Sequence, residues 1–192
     1  MSEEKKSPAS VSTGVVRLSY ANVWKAKAID NDSEEKYSTA VLIKKDDKFT
    51  LDKLKAAVEH LKKEAAVKFG GKLPKNFKLP LRDGDEEKPE DENYAGHYFL
   101  NASSKRKPGI VKRVGDDKLE DITDEDEVYS GCYVRLGLNL YVFDVSGNRG
   151  IAVGLNNILK VKDGDPLAGG TRPEDDFSDD FEYEEETDDF LG

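Results

Sequence analysis

Aromatic and basic side chains share the same extended segments of this chain, and that pairing is the first chemistry to weigh. Tyr20 and Trp24 fall on one parity of a strand-like run. Tyr37, Tyr94 and Tyr98 lie in other such runs, and Tyr129, Tyr133, Arg135, Tyr141 and Phe143 share one parity of a third stretch. Cations flank them at Arg17, Lys25, Lys27, Arg82, Lys112 and Arg113, and Lys105, Arg106 and Lys107 follow one another between Ser103-Ser104 and Pro108-Gly109. Unstacked bases present π-faces to rings while phosphates need cations along a groove, so this mixture suits single-stranded nucleic acid. The three-cation turn suits a phosphate, because small Ser and Gly neighbours let backbone approach closely. The plainer readings are that strand aromatics fill a core and that loop-tip cations are merely solvated.

The elements that must position these groups follow from periodicity. From Val128 to Val145 one parity reads Val128, Ser130, Cys132, Val134, Leu136, Leu138, Leu140, Val142, and the other carries the aromatics, glycines, Asn139 and Arg135. An aliphatic face belongs to a core, and the second face is too aromatic for plain solvent and too polar for another core. Gly131 and Gly137 are where so long a strand could bend as a barrel closes. Val15–Lys25 and Lys36–Lys44 read as two strands joined by a turn, with further strands at Tyr94–Ser104 and Ile110–Val114. Ile151-Ala152-Val153 reads as a strand and Asn156-Asn157-Ile158 as a short helical turn, while Gly147-Asn148-Arg149-Gly150 reads as a hairpin turn. Leu51, Leu54, Ala57, Val58, Leu61, Ala65 and Phe69 form one helical stripe, with Thr50 able to cap its start and Gly70-Gly71 its end. Residues 72–93, with three prolines, read as a long loop. Many strands, one helix and one strongly bent strand predict a mainly β chain, a small β-barrel with an inserted amphipathic helix.

Other chemistries find less support. Arg82-Asp83-Gly84-Asp85-Glu86-Glu87 offers carboxylates but lacks the alternating ligands and distal Glu of an EF-hand loop. A metal-dependent nuclease built on residues 83–91 stays open as an alternative, as does an adaptor whose aromatic face binds protein and no nucleic acid. Cys132 is the lone cysteine and the histidines are His60 and His97, too few for a disulfide framework or a Cys/His zinc site. No phosphate-loop motif, nucleophile elbow or His-bearing triad marks an enzyme, and no catalytic residue, metal ligand or cofactor is expected.

Charge divides the chain. The formal net charge is −10, yet residues 173–192 hold eleven Asp/Glu and no Lys/Arg, which leaves a nearly neutral body. Within that body, residues 83–92 and 116–127 concentrate acid, so the remainder is predominantly basic. An acidic average therefore does not exclude a nucleic-acid partner. The 192 residues fit one domain plus tails: a mobile arm over 1–12, a binding domain over 13–168 and a disordered acidic tail over 169–192. Isolated aromatics in the tail and its tip, Asp188-Asp189-Phe190-Leu191, read as a linear docking motif. No stretch approaches the ~20 apolar residues of a membrane span, no secretory signal opens the chain, and a reducing intracellular setting is expected.

Several stretches, taken in order, resemble one family. Gly71-Lys72-Leu73-Pro74, Leu79-Pro80-Leu81-Arg82-Asp83-Gly84-Asp85, Tyr94-Ala95-Gly96-His97-Tyr98-Phe99-Leu100-Asn101-Ala102, Val128-Tyr129-Ser130-Gly131-Cys132-Tyr133-Val134-Arg135 and Gly150-Ile151-Ala152 through Gly154-Leu155-Asn156-Asn157-Ile158 resemble bacteriophage single-stranded DNA-binding proteins of the OB-fold class. The resemblance implies an OB-fold-like, non-enzymatic protein that coats single-stranded DNA during phage replication or recombination in the cytoplasm of the bacterial host. It also implies a tail like those of other single-strand binders, docking replication or recombination proteins, although this tail ends Phe190-Leu191-Gly192 and not on an aromatic residue. The candidate DNA-binding residues rest on the alternation and flanking charge: Tyr20, Trp24, Lys25, Tyr37, Arg82, Tyr98, Lys105, Arg106, Lys107, Tyr129, Tyr133, Arg135, Tyr141 and Phe143.

Overall fold

A computed structural model describes residues 7–28 and 30–167. The tail and its tip residues Asp188, Asp189, Phe190 and Leu191 lie outside the described residues. β-branched and aromatic runs form the strands where expected: β2 covers Val16–Lys27 and β3 covers Lys36–Lys44, after a short β1 at Ser10–Ser12. β1 corrects the expectation of a mobile arm up to residue 12. Its residues pair with Asn139, Leu138 and Gly137, and Val11 is only 3% exposed, so one buried valine and a strand ladder tie this segment down.

Helix α1 runs Lys48–Lys68 and buries Leu51, Leu54, Ala57, Leu61 and Ala65, the stripe read from spacing. Its cap is Asp47, whose carboxylate accepts from the Thr50 amide at 3.1 Å. Thr50 is itself buried, and its hydroxyl accepts from the Gly14 amide at 2.9 Å, so it ties the helix to the first strands and caps nothing. Gly70 and Gly71 take positive φ as the chain leaves the helix.

The 72–93 segment is less irregular than expected. It contains a two-residue strand β4, Arg82–Asp83, and one turn of helix α2, Gly84–Glu87, which the Asp83 side chain caps by accepting from the Asp85 amide at 2.9 Å. Strand β5 begins at His97 and ends at Ser104. Tyr94 precedes it in a turn and is 1% exposed, its hydroxyl donating to Ser19 Oγ at 3.2 Å. A hairpin of β6, Gly109–Val114, and β7, Lys118–Asp121, follows; β7 has no apolar alternation and left no signal.

The last two strands, β8 at Tyr133–Val145 and β9 at Asn148–Lys162, depart from the reading at both outer ends. Residues 128–132 form a turn, because Gly131 sits at φ 114°, so β8 starts five residues later than the alternation reads. β9 carries no helical turn at Asn156–Ile158. Asn157 pairs with Gly109 and Gly137, and Ile158 with Ile110 and Leu136, so ladders on both edges override the local turn preference of two asparagines. Ser146 and Gly147, both at positive φ, make the β8–β9 hairpin turn.

The pairings close a ring: β8–β2, β2–β3, β3–β5 and β9–β8 are antiparallel and β5–β9 is parallel. This strand order makes it an OB-like ring, thin at two seams, where β2–β8 and β5–β9 hold two register pairs each. Inside lie Leu18, Val41, Leu100, Ala102, Val134, Leu136, Leu138, Val153 and Leu155, all 2% exposed or less, with Leu54 and Leu61 of α1 in the same core. Among the described residues no helix is long and apolar enough to cross a membrane.

Candidate nucleic-acid interface

Strand alternation decides what the outside of the ring presents. With Leu18, Val41 and Leu100 turned inward, their neighbours Ser19, Ala40 and Asn101 turn outward in register, and the next outward row is Asn22, Ser38 and Ser103. These six side chains floor a shallow trough across β2, β3 and β5. All are small or polar; Asn22, Ser38, Asn101 and Ser103 reach the surface, where a flat ring or a sugar-phosphate can come close to the sheet, whereas Ser19 and Ala40 are 4% and 5% exposed and the Ser19 hydroxyl accepts from Tyr94 at 3.2 Å. OB-type rings bind oligonucleotides on the outer face of their second and third strands, which here are β3 and β5.

Two rims border the floor. On one side Tyr20 stands 57% exposed at φ 47°, in a bulge that shifts the β2–β3 register between Ser19 and Asn22. A non-glycine residue at positive φ is uncommon, and here the bulge holds the Tyr20 ring out from the sheet. Lys88 Nζ lies 5.3 Å from the Tyr20 ring centroid and 4.9 Å from that of Tyr94. Beneath them Tyr94 and Phe99 meet edge to face at 5.2 Å and pack with Leu42, which keeps this rim rigid. On the other side Lys27 and Lys36 are paired directly across β2 and β3, beside a hollow of about 310 Å³ shared with Ser33, Glu34, Ser38 and Ser103. Like charges set opposite one another on a sheet repel, and an anion between them would relieve that cost.

The residues named from sequence do not gather into one patch. Lys25, Lys105, Arg106 and Lys107 are exposed near the lysine rim. Lys105 pairs with Glu34 at 3.1 Å, and Lys107 Nζ lies 5.1 Å from the Trp24 ring. Trp24 is half-buried, its indole donating to the Val128 carbonyl at 2.9 Å. Tyr37 and Tyr98 share the parity of Val41 and Leu100, so both lie off the trough floor, and Lys45 covers the Tyr98 ring at 5.2 Å. Arg82 borders the Tyr20 rim over Phe99 but is held by both carboxylate oxygens of Glu87, at 2.7 and 2.9 Å.

The parity carrying Tyr133, Arg135, Tyr141 and Phe143 does face outward, but on β8, beyond the seams from the trough. Tyr141 is exposed there; Phe143 is half-buried beside Gly150. Tyr133 has Arg17 at 5.3 Å and Lys162 at 4.9 Å, while Arg135 Nε donates to the Thr13 carbonyl at 2.9 Å. Tyr129 anchors the stretch after β9: its hydroxyl donates to the Gly164 carbonyl at 2.9 Å and accepts from the Gly164 amide at 3.2 Å, and burial pushes its pKa upward. Residues 163–167 thus form a strap that Arg17 also holds through the Asp165 carbonyl at 2.8 Å, and Leu167 ends it against Leu42, Tyr94 and Phe99. A second basic surface sits beside it, a cleft of about 580 Å³ lined by Lys112, Arg113, Arg135, Lys160 and Lys162 with Glu127 and Asp163.

Sequence reading did not single out Lys88, Lys36 or Asn101, which the geometry adds to the candidates. Lys88 is hidden in an acidic window, and the other two become visible only once register is known. Within 83–91, Asp83 and Asp85 reach Lys45 Nζ at 2.8 and 2.7 Å, and hydrogen bonding to that ammonium holds both carboxyls below their ordinary range. Among the described residues no three His, Cys, Asp or Glu side chains are grouped to hold a metal ion.

Strand order, helix and trough define an OB-type binding domain. A family model described as Enterobacter phage Enc34, ssDNA-binding protein, matches residues 9–191, and the chain belongs to that family of phage single-stranded DNA-binding proteins. Protein p50 of Acyrthosiphon pisum secondary endosymbiont phage 1 is 30% identical over 165 residues, covering 81% of this chain and 84% of that one. The fold matches that of the single-stranded DNA-binding protein from bacteriophage Enc34 in complex with ssDNA, with a TM-score of 0.72 and 24% identity over 83% of this chain and 90% of the other. It also matches gp2.5, a single-stranded DNA binding protein encoded by bacteriophage T7, with a TM-score of 0.57 and 12% identity over 85% and 97% of the two chains.

Proposed function

We propose that this chain binds single-stranded DNA with little regard for sequence and coats it, without catalysis, during phage DNA replication or recombination in the host cytoplasm. The observation that carries this reading is the trough of Ser19, Ala40, Asn101, Asn22, Ser38 and Ser103 between the Tyr20–Lys88 rim and the Lys27–Lys36 rim. Bases stack on Tyr20, and phosphates follow Lys88, Lys27, Lys36 and the Lys105–Lys107 turn. Nothing in this arrangement reads a base edge by a fixed pair of donors, which fits sequence tolerance. A duplex is excluded because its bases, already stacked, cannot lie on Tyr20. Phosphate neutralisation makes the affinity fall with salt. Beyond Leu167 the acidic tail supplies a docking segment for replication or recombination proteins and competes with DNA phosphate for the cationic rims.

The test is a fluorescence titration with labelled single- and double-stranded oligonucleotides at two salt concentrations. Preference for the single strand, steeper at low salt, is expected. Equal or tighter duplex binding overturns the stacking arrangement, absence of salt-dependent binding favours a protein adaptor, and metal-dependent shortening of the oligonucleotide restores the nuclease.

A further inference from the structure

Two surfaces of opposite charge lie off the DNA trough, on different elements. Residues 48–78, α1 and the turn after it, carry nine lysines against three acidic residues, and residues 116–127, β7 and its flanks, carry eight acidic residues against one lysine. Between α1 and the Leu79-Pro80-Leu81 segment lies an apolar groove of about 220 Å³, rimmed by Lys55 and Lys62, with Leu79 45% exposed at its mouth. In the acidic stretch Leu119 is the apolar residue left open, 53% exposed. Asp121 shares its strand face two places on, and Asp117 lies in the turn just before the strand. β7 is also an edge: among the described residues it pairs only with β6, and all four of its residues are exposed. We propose that these two surfaces bind each other between copies of this chain, the β6–β7 hairpin of one copy seating Leu119 in the α1 groove of the next and setting Asp117 and Asp121 against Lys55 and Lys62.

Charge selects both the partner and its orientation. Two lysine-rich α1 faces repel each other, as do two acidic β7 edges, so a two-fold contact made from the same patch on both copies is disfavoured. Lysine face against acidic hairpin is favoured, and because it joins different patches it leaves one of each unused at the ends of the pair. Further copies add at those ends, which gives open rows and not closed dimers. Within its own copy Leu119 lines a different hollow, with Thr13, Leu136 and Leu159, so the contact forms between copies. Charges already engaged narrow it further. Glu127 turns back to Lys112 at 3.0 Å and Glu59 in the groove holds Lys62 at 3.1 Å, whereas Asp117, Asp121 and Lys55 are exposed and make no ion pair among the described residues. Neither surface contains a residue of the trough floor, so a row leaves every trough open. Taken with the DNA reading, on which this step rests, each copy bound to a strand becomes a docking site for the next, and coating becomes cooperative.

The contact is tested first without DNA, by sedimentation velocity on the full chain. The sedimentation coefficient of wild type should rise with concentration, and the rise should be lost near 1 M salt, where the screening length is about 3 Å. Lys55→Glu with Lys62→Glu and, separately, Asp117→Lys with Asp121→Lys should each lose it, since each pair of changes leaves like charges on both surfaces. Mixing the two variants should restore it, because every surface then meets its complement on the other variant. A wild type that stays monomeric at every concentration overturns the proposal, as do variants that stay apart when mixed. Association that survives Asp117→Lys with Asp121→Lys but falls on removal of residues 173–192 assigns the groove to a neighbour's tail and overturns it equally. On DNA, both variants should bind an oligonucleotide with room for one copy as wild type does, and should lose the extra affinity of wild type for a strand that holds several; mixing should return it. If no strand is bound at all, the reading of the trough fails while the sedimentation series still decides the contact.

Discussion

The carbonyl oxygen of Asp165 occupies the space that a side chain on Gly131 would need, and Gly131 stands at φ 114°, where an L side chain is strained in any case. Gly131 also donates its amide to Leu18 and accepts from Arg17, so one glycine joins β2, the turn before β8 and the strap of residues 163–167. Gly131→Ala should therefore lower the melting temperature and expose Leu167 and its pocket to solvent. Hydrogen exchange at the Leu167 and Gly164 amides checks it; unchanged protection would show that the strap is held elsewhere.

Tyr20→Ala should cost ~1–3 kcal/mol of single-strand affinity if its ring stacks a base. Tyr20→Gly separates the ring from the backbone, because glycine accepts φ 47° without strain. The glycine variant should bind as poorly as the alanine variant yet melt no earlier than wild type. A variant that binds normally would remove Tyr20 from the interface.

Changing Lys105, Arg106 and Lys107 together to Ala should weaken binding and lower the slope of log affinity against log salt by ~0.7 for each phosphate left without its cation. Arg135→Ala should behave differently, since Arg135 holds the Thr13 carbonyl and lies beyond the trough: stability falls while the salt slope stays. Paired titrations and thermal melts distinguish the two, and a falling slope in Arg135→Ala would extend the DNA path to the Lys112–Lys162 cleft.

Removing residues 173–192 takes away eleven carboxylates and should tighten DNA binding, most at low salt. Phe190→Ala with Leu191→Ala keeps every charge and should leave DNA affinity near wild type while partner capture falls. Weaker DNA binding after deletion would make the tail part of the binding or assembly surface.

Lys45 closes the 82–96 segment onto β3 through Asp83 and Asp85. The carboxyls have folded pKa values below their ordinary 3.8 and the ammonium one above its ordinary 10.5, in each case chiefly through the shared hydrogen bonds. The contribution to stability is thus present between these two ordinary values, lost as pH falls through the depressed carboxyl values, and lost again as pH rises through the elevated lysine value. Lys45→Ala should melt earlier than wild type at neutral pH, and the gap should narrow on acidification well below 3.8. A gap that does not change with pH would mean that the ion pair contributes nothing.

Periodic elements were legible and punctuation was not. The stripe of α1 and the alternation of Val134–Leu140 announce themselves because burial repeats at a fixed spacing. The helical turn read over Asn156–Ile158 fails because local asparagine preference loses to ladders on both edges of β9, which sequence does not display. The site suffered most from this. Parity correctly turned Tyr133, Arg135 and Tyr141 outward, but outward on a closed ring has several directions, and these residues face away from β3 and β5. Tyr20 was a candidate for its ring; the bulge that lifts it, and Lys88 beside it, depend on how distant segments meet.

Ring closure also sets the order in which the chain becomes safe. Ribosomes deliver β2, β3 and β5 first, and until β8 and β9 arrive the outer edges of β2 and β5 have no partners at the two seams. A nascent or prematurely terminated chain ending ahead of Gly154 therefore carries open sheet margins of the kind that recruit other chains. Beyond the strap no ladder pairing among the described residues remains to be made, and the sequence that follows carries eleven carboxylates between 173 and 192.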